Sequence, residues 1–316
     1  MENISAGNFV LLGLREMENL KYVYSGISLG LYFMIMIISS MIVYITLEEK
    51  TLHEPMYIFI CNLILNVMVG GSSFLPKLAI DLLSGCSTTS FLGCLTQAFC
   101  IQSFASVEVF TFTIMAYDRY LAVSHPLRYH NLMTNRRALM STLVIWLVAF
   151  MSRIVGFVLV VRITLCGKTI NNVYCEIMSL LRLACGSTLA NDIYGTTYTL
   201  LMVIISLSVV IYCYIRTFLI CFKISTGANQ KAIHTLVTHI MALSTFMAAT
   251  LFVAFRYRVN GGSLSTTTHV VIPVTGLTVS VTLNPLIYGI RTEVLRIKIL
   301  HRLQKINNFM HLENSK

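Results

Sequence analysis

Charged residues are scarce in this chain of 316 residues. Lys, Arg, Asp and Glu make up 11% of the sequence, against roughly 25% in an ordinary soluble domain, and 56% of the residues are hydrophobic. The mean hydropathy is +0.76. This balance excludes most water-soluble folds, and with them a water-soluble enzyme, and indicates an integral membrane protein.

Glycine and proline are also few, at 17 and 5 residues. Their shortage excludes a collagen-like or low-complexity chain. The sequence contains no Walker loop, zinc-ligand spacing or nucleophile motif. We therefore expect no enzymatic activity, no cofactor and no metal centre.

Seven apolar runs are long enough to cross a bilayer as helices, which takes about 20 residues each. We name them segments one to seven, and they cover approximately 22–47, 56–80, 94–117, 138–161, 193–215, 232–255 and 268–290. The alternating strand pattern of an outer-membrane barrel is absent, and helices satisfy their own backbone hydrogen bonds in lipid. The predicted fold class is an all-α membrane protein with a bundle at 22–290, an N-terminal region at 1–21 and a tail at 291–316.

The distribution of Lys and Arg predicts the orientation, because cytoplasmic loops retain positive charge. With the N-terminus outside, fourteen of the 23 Lys and Arg residues lie on the inner side and eight on the outer side. The glycosylation acceptor Asn3-Ile4-Ser5 then lies outside. Because no basic region or cleavage site accompanies the first apolar run, we expect segment one to act as its own insertion signal. Topology accounts for most of the +10 net charge, which therefore does not indicate nucleic-acid binding.

Nine cysteines are divided between the membrane and the outer surface. Those in or beside segments are Cys61, Cys100, Cys213 and Cys221, and those at the outer ends are Cys86, Cys94, Cys166, Cys175 and Cys185. The outer group faces an oxidising compartment, which favours at most two disulfides of undetermined pairing. The others are expected to be small buried apolar residues.

Besides Lys77 near the end of segment two, four charged residues fall within segments three and four or at the inner end of segment three: Glu108, Asp118, Arg119 and Arg153. A charge inside the bilayer must face a partner or water, so each of these four is a candidate functional residue. Asp118 and Arg119 can equally be a pair that reaches the interface at the end of a helix. Pro285 interrupts a helical run and predicts a bend, either a hinge or a static kink.

The basic tail has apolar residues at helical spacing, namely Leu295, Ile299, Leu303 and Ile306. This pattern predicts a short amphipathic helix on the inner membrane surface. A solvated basic tail is the alternative.

Several strings resemble those of the olfactory (odorant) receptors, a family of rhodopsin-like G-protein-coupled receptors, and segments two and five are similar in style to fish members. The matching strings are Leu52-His53-Glu54-Pro55-Met56-Tyr57, Met115-Ala116-Tyr117-Asp118-Arg119-Tyr120, His125-Pro126-Leu127-Arg128-Tyr129, Lys231-Ala232 with Thr235 and His239, and Leu283-Asn284-Pro285-Leu286-Ile287-Tyr288. The resemblance covers almost the whole chain. It implies a rhodopsin-like bundle that binds an odorant and activates a stimulatory G protein, which raises cyclic AMP, at the plasma membrane of sensory cilia.

The resemblance also implies residue roles. Arg119 would be held by Asp118 in the inactive state and released toward Tyr214 and the G protein on activation. The expected switch residues are Asp118, Arg119, Tyr120, Tyr214, Lys231, His239, Asn284, Pro285 and Tyr288. The implied disulfides are Cys94–Cys175 and Cys166–Cys185, and Trp146 matches a tryptophan of segment four.

Two departures from the broader receptor pattern concern an ion site. Ser39 stands where segment one usually has Asn, and Val67 stands where segment two often has Asp. A sodium site is therefore in doubt, although Glu108, which matches an acidic position, can supply one carboxylate.

By analogy with the family, the ligand lies in the outer half of the bundle under the second outer loop. The expected lining residues are Gln97, Ile101, Gln102, Phe104, Ala105, Tyr198, Met202, Phe246, Phe252, Phe255 and Thr275. The same side chains would serve equally well as helix packing. Ile101 stands where an amine receptor carries a carboxylate, which disfavours amine ligands, whereas Arg153, Arg256 and Arg258 leave an anionic ligand open.

Two other classes of function remain as alternatives. One is a receptor of the same fold for a lipid, peptide or small anion. The other is a transporter or channel, although transporters commonly show internal repeats and we find none between the two halves of the sequence.

Overall fold

The computed structural model describes residues 8–223, 240–241, 243–244, 246–248, 250–251, 266–291, 295–302 and 304. Some expected features lie outside these residues: the glycosylation acceptor Asn3, and Lys231, Thr235, His239, Phe252, Phe255, Arg256 and Arg258.

Long helices occupy six of the seven segments in the described part of the chain. They are Lys21–Glu48 (one), Pro55–Ser84 (two), Phe91–Ser124 (three), Asn135–Val161 (four), Leu189–Lys223 (five) and Thr266–Arg291 (seven). The described residues of segment six, between 240 and 251, are also helical. Within the described residues, the helices of segments one to five are long and apolar enough to cross a membrane.

Short elements connect these helices. The strands are β1 (Asn8–Leu11), β2 (Thr88–Ser90) and β3 (Thr169–Ile170), the short α-helices are Gly13–Glu16, Tyr129–Leu132 and Ile177–Leu181, and the 3-10 turns are Glu18–Leu20, Lys50–Leu52 and Pro126–Arg128.

The three strands form a small sheet over the outer end of the bundle. β1 lies in the middle, antiparallel to β2 with Phe9 opposite Thr89, and parallel to β3 with Val10 opposite Thr169. Phe9 and Leu11 are fully buried beneath it. The N-terminal segment is therefore anchored by backbone hydrogen bonds to both the first and the second outer loops.

Two disulfides close the second outer loop, and they are the pairs that the resemblance implies. Cys94 at the start of segment three is bonded to Cys175, with Cα atoms 5.1 Å apart, and Cys166 is bonded to Cys185, with Cα atoms 5.6 Å apart. Closing a loop in this way restricts the unfolded chain and stabilises the fold by a few kcal/mol in the chain-entropy account.

Local sequence explains where several helices begin and end. Pro55 stands at the first position of its helix, where the missing N–H costs nothing. The hydroxyls of Ser90 and Thr134 accept hydrogen bonds from the N–H groups of residues three positions further on. Segment two ends at Gly85, whose φ of 63° is a left-handed conformation that glycine adopts without strain.

A buried polar network joins segments two, three and four. The Asn62 amide donates to the Thr111 hydroxyl at 2.8 Å, and the Trp146 indole N–H donates to the Asn62 amide oxygen at 2.7 Å. Lipid offers no alternative partner to these groups, so the network fixes how the three helices are rotated relative to one another. The tryptophan noted in segment four thus has a structural role.

The tail packs against the first inner loop. Residues 295–302 are helical, and Leu295 is fully buried. Lys298 and Arg302 pair with Glu49 and Glu48, with N–O distances of 2.7 Å in each case. Exposed pairs of this kind contribute little individually, so the buried apolar residue is the main anchor of this amphipathic helix.

Segments two and three approach closely at Gly70, which generates a prediction. A Cβ atom at residue 70 would lie 2.5 Å from the Phe104 ring, whereas a Cβ atom at Gly71 would meet nothing within 4 Å. We expect Gly70→Ala to lower the free energy of unfolding by about 1–3 kcal/mol through overpacking, despite the better helix propensity of alanine.

The matched control is Gly71→Ala, which should be neutral or slightly stabilising because it gains helix propensity without a clash. Thermal unfolding of the purified protein measures both variants. Equal unfolding temperatures for the two variants would contradict the packing described here.

Candidate functional site

A cavity of about 210 Å³ lies in the outer half of the bundle, between segments three, four, five, six and seven and beneath the second outer loop. Apolar side chains make up most of its wall, and the polar lining residues come from segments three to seven and from the second outer loop. Those polar lining residues are Gln102, Ser152, Arg153, Glu176, Asn191, Tyr194, Thr199, Thr250 and Ser280.

Six of the residues expected in the ligand pocket line this cavity together: Ile101, Gln102, Phe104, Ala105, Met202 and Phe246. Tyr198 lies immediately behind the wall, where its ring faces the Arg153 guanidinium at 4.5 Å.

Gln97 and Thr275 are not among the lining residues. The Gln97 amide donates to the Ser73 carbonyl at 3.1 Å and accepts from the Cys175 backbone N–H at 2.9 Å. Gln97 therefore joins segments two and three to the disulfide-bonded loop. Phe252 and Phe255 lie outside the described residues.

Several lining residues are not among those expected in the pocket, most notably Arg153, which the sequence indicated only as a charged candidate residue that leaves an anionic ligand open. Its Nε donates to the Ser106 hydroxyl at 3.2 Å, its Nη1 donates to the Gln102 amide oxygen at 3.2 Å, and its Nη2 also bonds the Ser106 hydroxyl. The sequence did indicate that Arg153 faces inward, because a charged side chain within an apolar run must turn toward the bundle. Its place in the cavity wall follows only from the rotation of segment four.

The loop contributes residues that have no periodicity to reveal them. Tyr174, Glu176 and Ile177 close the cavity from above. The Glu176 carboxylate accepts from the Asn172 amide at 3.1 Å and from the Ser179 hydroxyl at 3.0 Å. This carboxylate thus stabilises the loop over the cavity.

Aromatic rings in edge-to-face and tilted contact connect the cavity to the centre of the bundle. The Phe104 and Phe246 rings lie edge to face with centroids 6.3 Å apart, and Phe246 also contacts Phe112 at 6.2 Å. A ligand that displaces the Phe246 ring would therefore disturb packing further inward, because buried side chains leave few voids to absorb movement.

Below these rings lies the fully buried carboxyl group of Glu108. Its Oε1 accepts a hydrogen bond from the Asn284 amide at 2.6 Å, while its Oε2 has no hydrogen-bond partner among the described residues. The contact joins segment three to Asn284, which precedes Pro285 in the continuous helix of segment seven. The described part of the chain contains no group of three or more His, Cys, Asp and Glu residues that could hold a metal ion.

At the inner end of segment three, Asp118 is buried and its carboxylate accepts a hydrogen bond from the Tyr129 hydroxyl at 2.9 Å. The described residues include no Asp118–Arg119 ion pair, and the buried Nε of Arg119 has no hydrogen-bond partner there. Among the described residues, Asp118 thus bonds to Tyr129 of the second inner loop rather than to Arg119, which differs from the pair that the resemblance implies for an inactive state.

Other predicted switch residues gather around Arg119. Tyr214 of segment five and Tyr288 of segment seven are within electrostatic range of its guanidinium. Tyr120 packs against Tyr212, with ring centroids 5.9 Å apart. Segments three, five and seven thus converge on one arginine at the inner end of the bundle.

Tyr129 lies outside the spanning helices, and its hydroxyl is a donor rather than an ion. Burial, followed by the charge of the Asp118 carboxylate, raises the pKa of Tyr129 above its ordinary value. The phenol therefore stays protonated at neutral pH and continues to donate to Asp118.

A bundle of long apolar helices with an outer cavity, an arginine at the inner end of segment three and a disulfide-bonded outer loop is typical of one class of protein, the seven-transmembrane rhodopsin-like receptors. Comparison with known proteins specifies the family: the family model described as "Olfactory receptor" matches residues 29–305. The chain belongs to the olfactory receptor family. It is a multi-pass membrane protein of a receptor family, not of an enzyme family.

Mammalian relatives match over nearly the full length of both chains. Olfactory receptor 1N2 of Homo sapiens is 30% identical over 289 residues, which are 91% of this chain and 90% of the relative. Olfactory receptor 5AP2 of Mus musculus is 32% identical over 298 residues, or 93% of each chain. Olfactory receptor 12D3 of Homo sapiens is 30% identical over 317 residues, which are 97% of this chain and 96% of the relative. The resemblance inferred from the sequence strings is confirmed.

The Tyr129–Asp118 contact generates a prediction. Tyr129→Phe removes the hydroxyl and leaves the buried Asp118 carboxylate without its donor, so we expect unfolding to become easier by about 1–3 kcal/mol. The readout is the unfolding temperature of the purified receptor, with Tyr117→Phe as control because Tyr117 is 41% exposed. If the unfolding temperature fell no further in Tyr129→Phe than in the control, the hydrogen bond between Tyr129 and Asp118 would not contribute to stability.

Proposed function

We propose that this receptor binds a small odorant in the outer cavity and activates a stimulatory, olfactory-type heterotrimeric G protein, which raises cyclic AMP. Family membership supports the proposal. The observation that carries it is an outer cavity of about 210 Å³ at one end of segment three and, at the other end, a half-buried Arg119 whose Nε has no hydrogen-bond partner among the described residues.

The proposed mechanism is a shift between two states of the bundle. A ligand that contacts Phe104 and Phe246 favours one packing of the aromatic rings over another, and only such differential contact can move the equilibrium. Outward movement of segment six would then open an inner groove for the G protein beside Arg119. The proposed switch residues remain Asp118, Arg119, Tyr120, Tyr214, Lys231, His239, Asn284, Pro285 and Tyr288.

We place the receptor in the plasma membrane of sensory cilia, with the N-terminus extracellular and Asn3 glycosylated. Both disulfides then lie on the outer side, where the environment is oxidising. The other proposed partners are membrane lipids, against which segment four presents exposed apolar residues such as Leu143, Leu147 and Ile154. We propose no nucleic-acid partner and no cofactor.

Glu108 is the carboxylate at which we propose that a cation would bind, if this receptor holds one. Its unpartnered Oε2 fits that role. Val67, however, supplies no second carboxylate from segment two, and hard cations favour several oxygen ligands. No step of the proposed mechanism depends on an ion.

Coexpression with an olfactory-type stimulatory Gα subunit tests the proposal. We expect some members of an odorant panel to raise cyclic AMP, and Arg119→Ala to reduce that response about tenfold or more at equal surface density, because the variant lacks the cation at the inner end of segment three. Arg162→Ala is the matched control, since it removes an exposed arginine from the outer end of segment four.

The same cells distinguish the alternatives. Ligand-driven current or uptake that persists in Arg119→Ala would favour a transporter or channel. An equal loss of response in both variants would contradict the role given to Arg119.

The orientation generates a separate prediction at Cys86, an exposed free cysteine in the first outer loop. The Thr88 hydroxyl lies 3.2 Å from its sulfur and lowers the pKa of the thiol. We expect a membrane-impermeant maleimide to label intact cells at Cys86, faster as pH rises from about 6 to 8 because the thiolate is the reactive form.

Two variants complete this experiment. Cys86→Ser should abolish the labelling, and Thr88→Val should slow it at neutral pH because the pKa of Cys86 returns toward its ordinary value. Labelling of Cys86 only after permeabilisation would overturn the proposed orientation.

A further inference from the structure

The Arg153 side chain is built into the cavity wall. It is half-buried, and three of its N–H groups point to neutral acceptors on segment three, the Ser106 hydroxyl and the Gln102 amide oxygen. A guanidinium group carries five N–H donors. Two donors therefore remain for another acceptor in the cavity.

Aromatic side chains of segment five hold this guanidinium in place. The Tyr198 ring lies 4.5 Å from the guanidinium carbon, and the Tyr198 hydroxyl donates to Ser106 at 3.4 Å. The neighbouring Tyr194 donates to the Ser152 carbonyl at 2.6 Å. A planar cation fixed by hydrogen bonds on its edge and by a ring on its face is oriented before any ligand arrives.

The charge of Arg153 is not neutralised by the described protein. Across the described ranges, no Asp or Glu lies within ion-pair distance of its nitrogens, and the Glu176 carboxylate that lines the same cavity accepts from Asn172 and Ser179 instead. An arginine keeps its charge at any physiological pH, and a charge at membrane depth calls for a counter-charge.

We propose that the ligand of this receptor is a small carboxylate, whose two oxygens bind the Arg153 guanidinium while its carbon chain lies against Phe104, Met202 and Phe246. This inference rests on the function proposed above and names its ligand class. Carboxylate and guanidinium match as a two-bonded pair, which orients the ligand as well as attracting it.

The size of the cavity and the charge of Arg153 in its wall agree with this choice. The cavity volume of about 210 Å³ admits only a small ligand. Arg153 repels an amine. A neutral aldehyde, alcohol or ester would accept a hydrogen bond but would leave the charge uncompensated.

The test compares straight-chain carboxylates from acetate to decanoate with the methyl esters and alcohols of the same chain length, read as cyclic AMP in cells. We expect the best carboxylate to be at least about tenfold more potent than its ester. Arg153→Met should reduce that potency about 100-fold while sparing the weak ester response, which also shows that the variant folds. The potency of the carboxylate at Arg153→Lys should fall between its potencies at the unsubstituted receptor and at Arg153→Met, because lysine keeps the charge and loses the two-bonded geometry.

Arg162→Met is the matched control, an exposed arginine at the outer end of the same helix, and should leave the carboxylate response unchanged. Equal potency of acid, ester and alcohol, with no effect of Arg153→Met, would overturn the inference and leave the receptor function standing.

A binding measurement separates the two proposals. The unfolding temperature of the purified full-length receptor should rise with octanoate and not with methyl octanoate, and it should not rise in Arg153→Met. Stabilisation by octanoate without any cyclic AMP response would support the carboxylate site and overturn the proposed coupling. No stabilisation by any carboxylate from acetate to decanoate would overturn the site.

Discussion

The bilayer supplies no hydrogen-bond partners, so every polar side chain in the bundle must find one within the protein. Segment three meets most of this requirement. Its Gln97 bonds the second outer loop, Thr111 receives the Asn62 amide, and Asp118 accepts from the second inner loop. One helix is thereby connected to a different neighbour at each level of the membrane, and its rotation cannot change without breaking several of these bonds together.

Against this background, the incompletely satisfied groups stand out. Among the described residues, the charged ones are Arg153 in the outer cavity, Glu108 with its Oε2 in the centre and Arg119 with its Nε at the inner end, and the neutral ones are Ser39, Asn66 and Ser103, each with one buried oxygen that has no hydrogen-bond partner. The three charged groups matter most here, because an unsatisfied charge costs more than an unsatisfied neutral atom. Two of them lie on segment three, and the third bonds to it. An unsatisfied buried polar atom is costly, so such atoms are retained where function requires them. Their sequence from the outside to the inside follows the direction in which a receptor transmits a signal.

The spanning helices were predictable because each can be recognised from the hydropathy and the scarcity of charge of its own residues. The disulfide pairs and the family followed from specific strings, which carry information that periodicity lacks. The outer sheet was not foreseen, since β1 is four residues long and depends on partners about 80 and 160 positions away. Contacts between residues far apart in the sequence also explain why Gln97 was expected in the ligand pocket. Its position on segment three fits a cavity wall, but its hydrogen-bond partners Ser73 and Cys175 lie on other elements. The contact between Tyr129 and Asp118 depends on how an inner loop folds back, which no residue spacing encodes.

The charge of Arg153 makes it a candidate functional residue in the sequence, but the sequence does not reveal which groups surround it. The sequence places an arginine in segment four, and physics requires it to face inward. Whether it meets a carboxylate, a headgroup or a cavity depends on the rotation of segment four, which the Asn62–Trp146 hydrogen bond helps to set. A structural contact about two turns away along the helix thus decides the chemistry of the ligand site.

The hydrogen bonds of Arg153 also suggest how binding reaches the inner end of the bundle. A carboxylate that binds the two remaining N–H groups of Arg153 pulls on a side chain that is also bonded to Ser106 and Gln102, and so changes the contact between segments three and four in the bound state alone. Ser106 and Glu108 are two residues apart, and Arg119 lies about 20 Å further along the same helix at the usual rise per residue. Coupling between distant sites typically amounts to about 1–3 kcal/mol, while a hydrogen bond to a charged group contributes about 1.5–3 kcal/mol. The gain of one or two such bonds at Arg153 is therefore large enough to bias the position of segment three, and with it the exposure of Arg119.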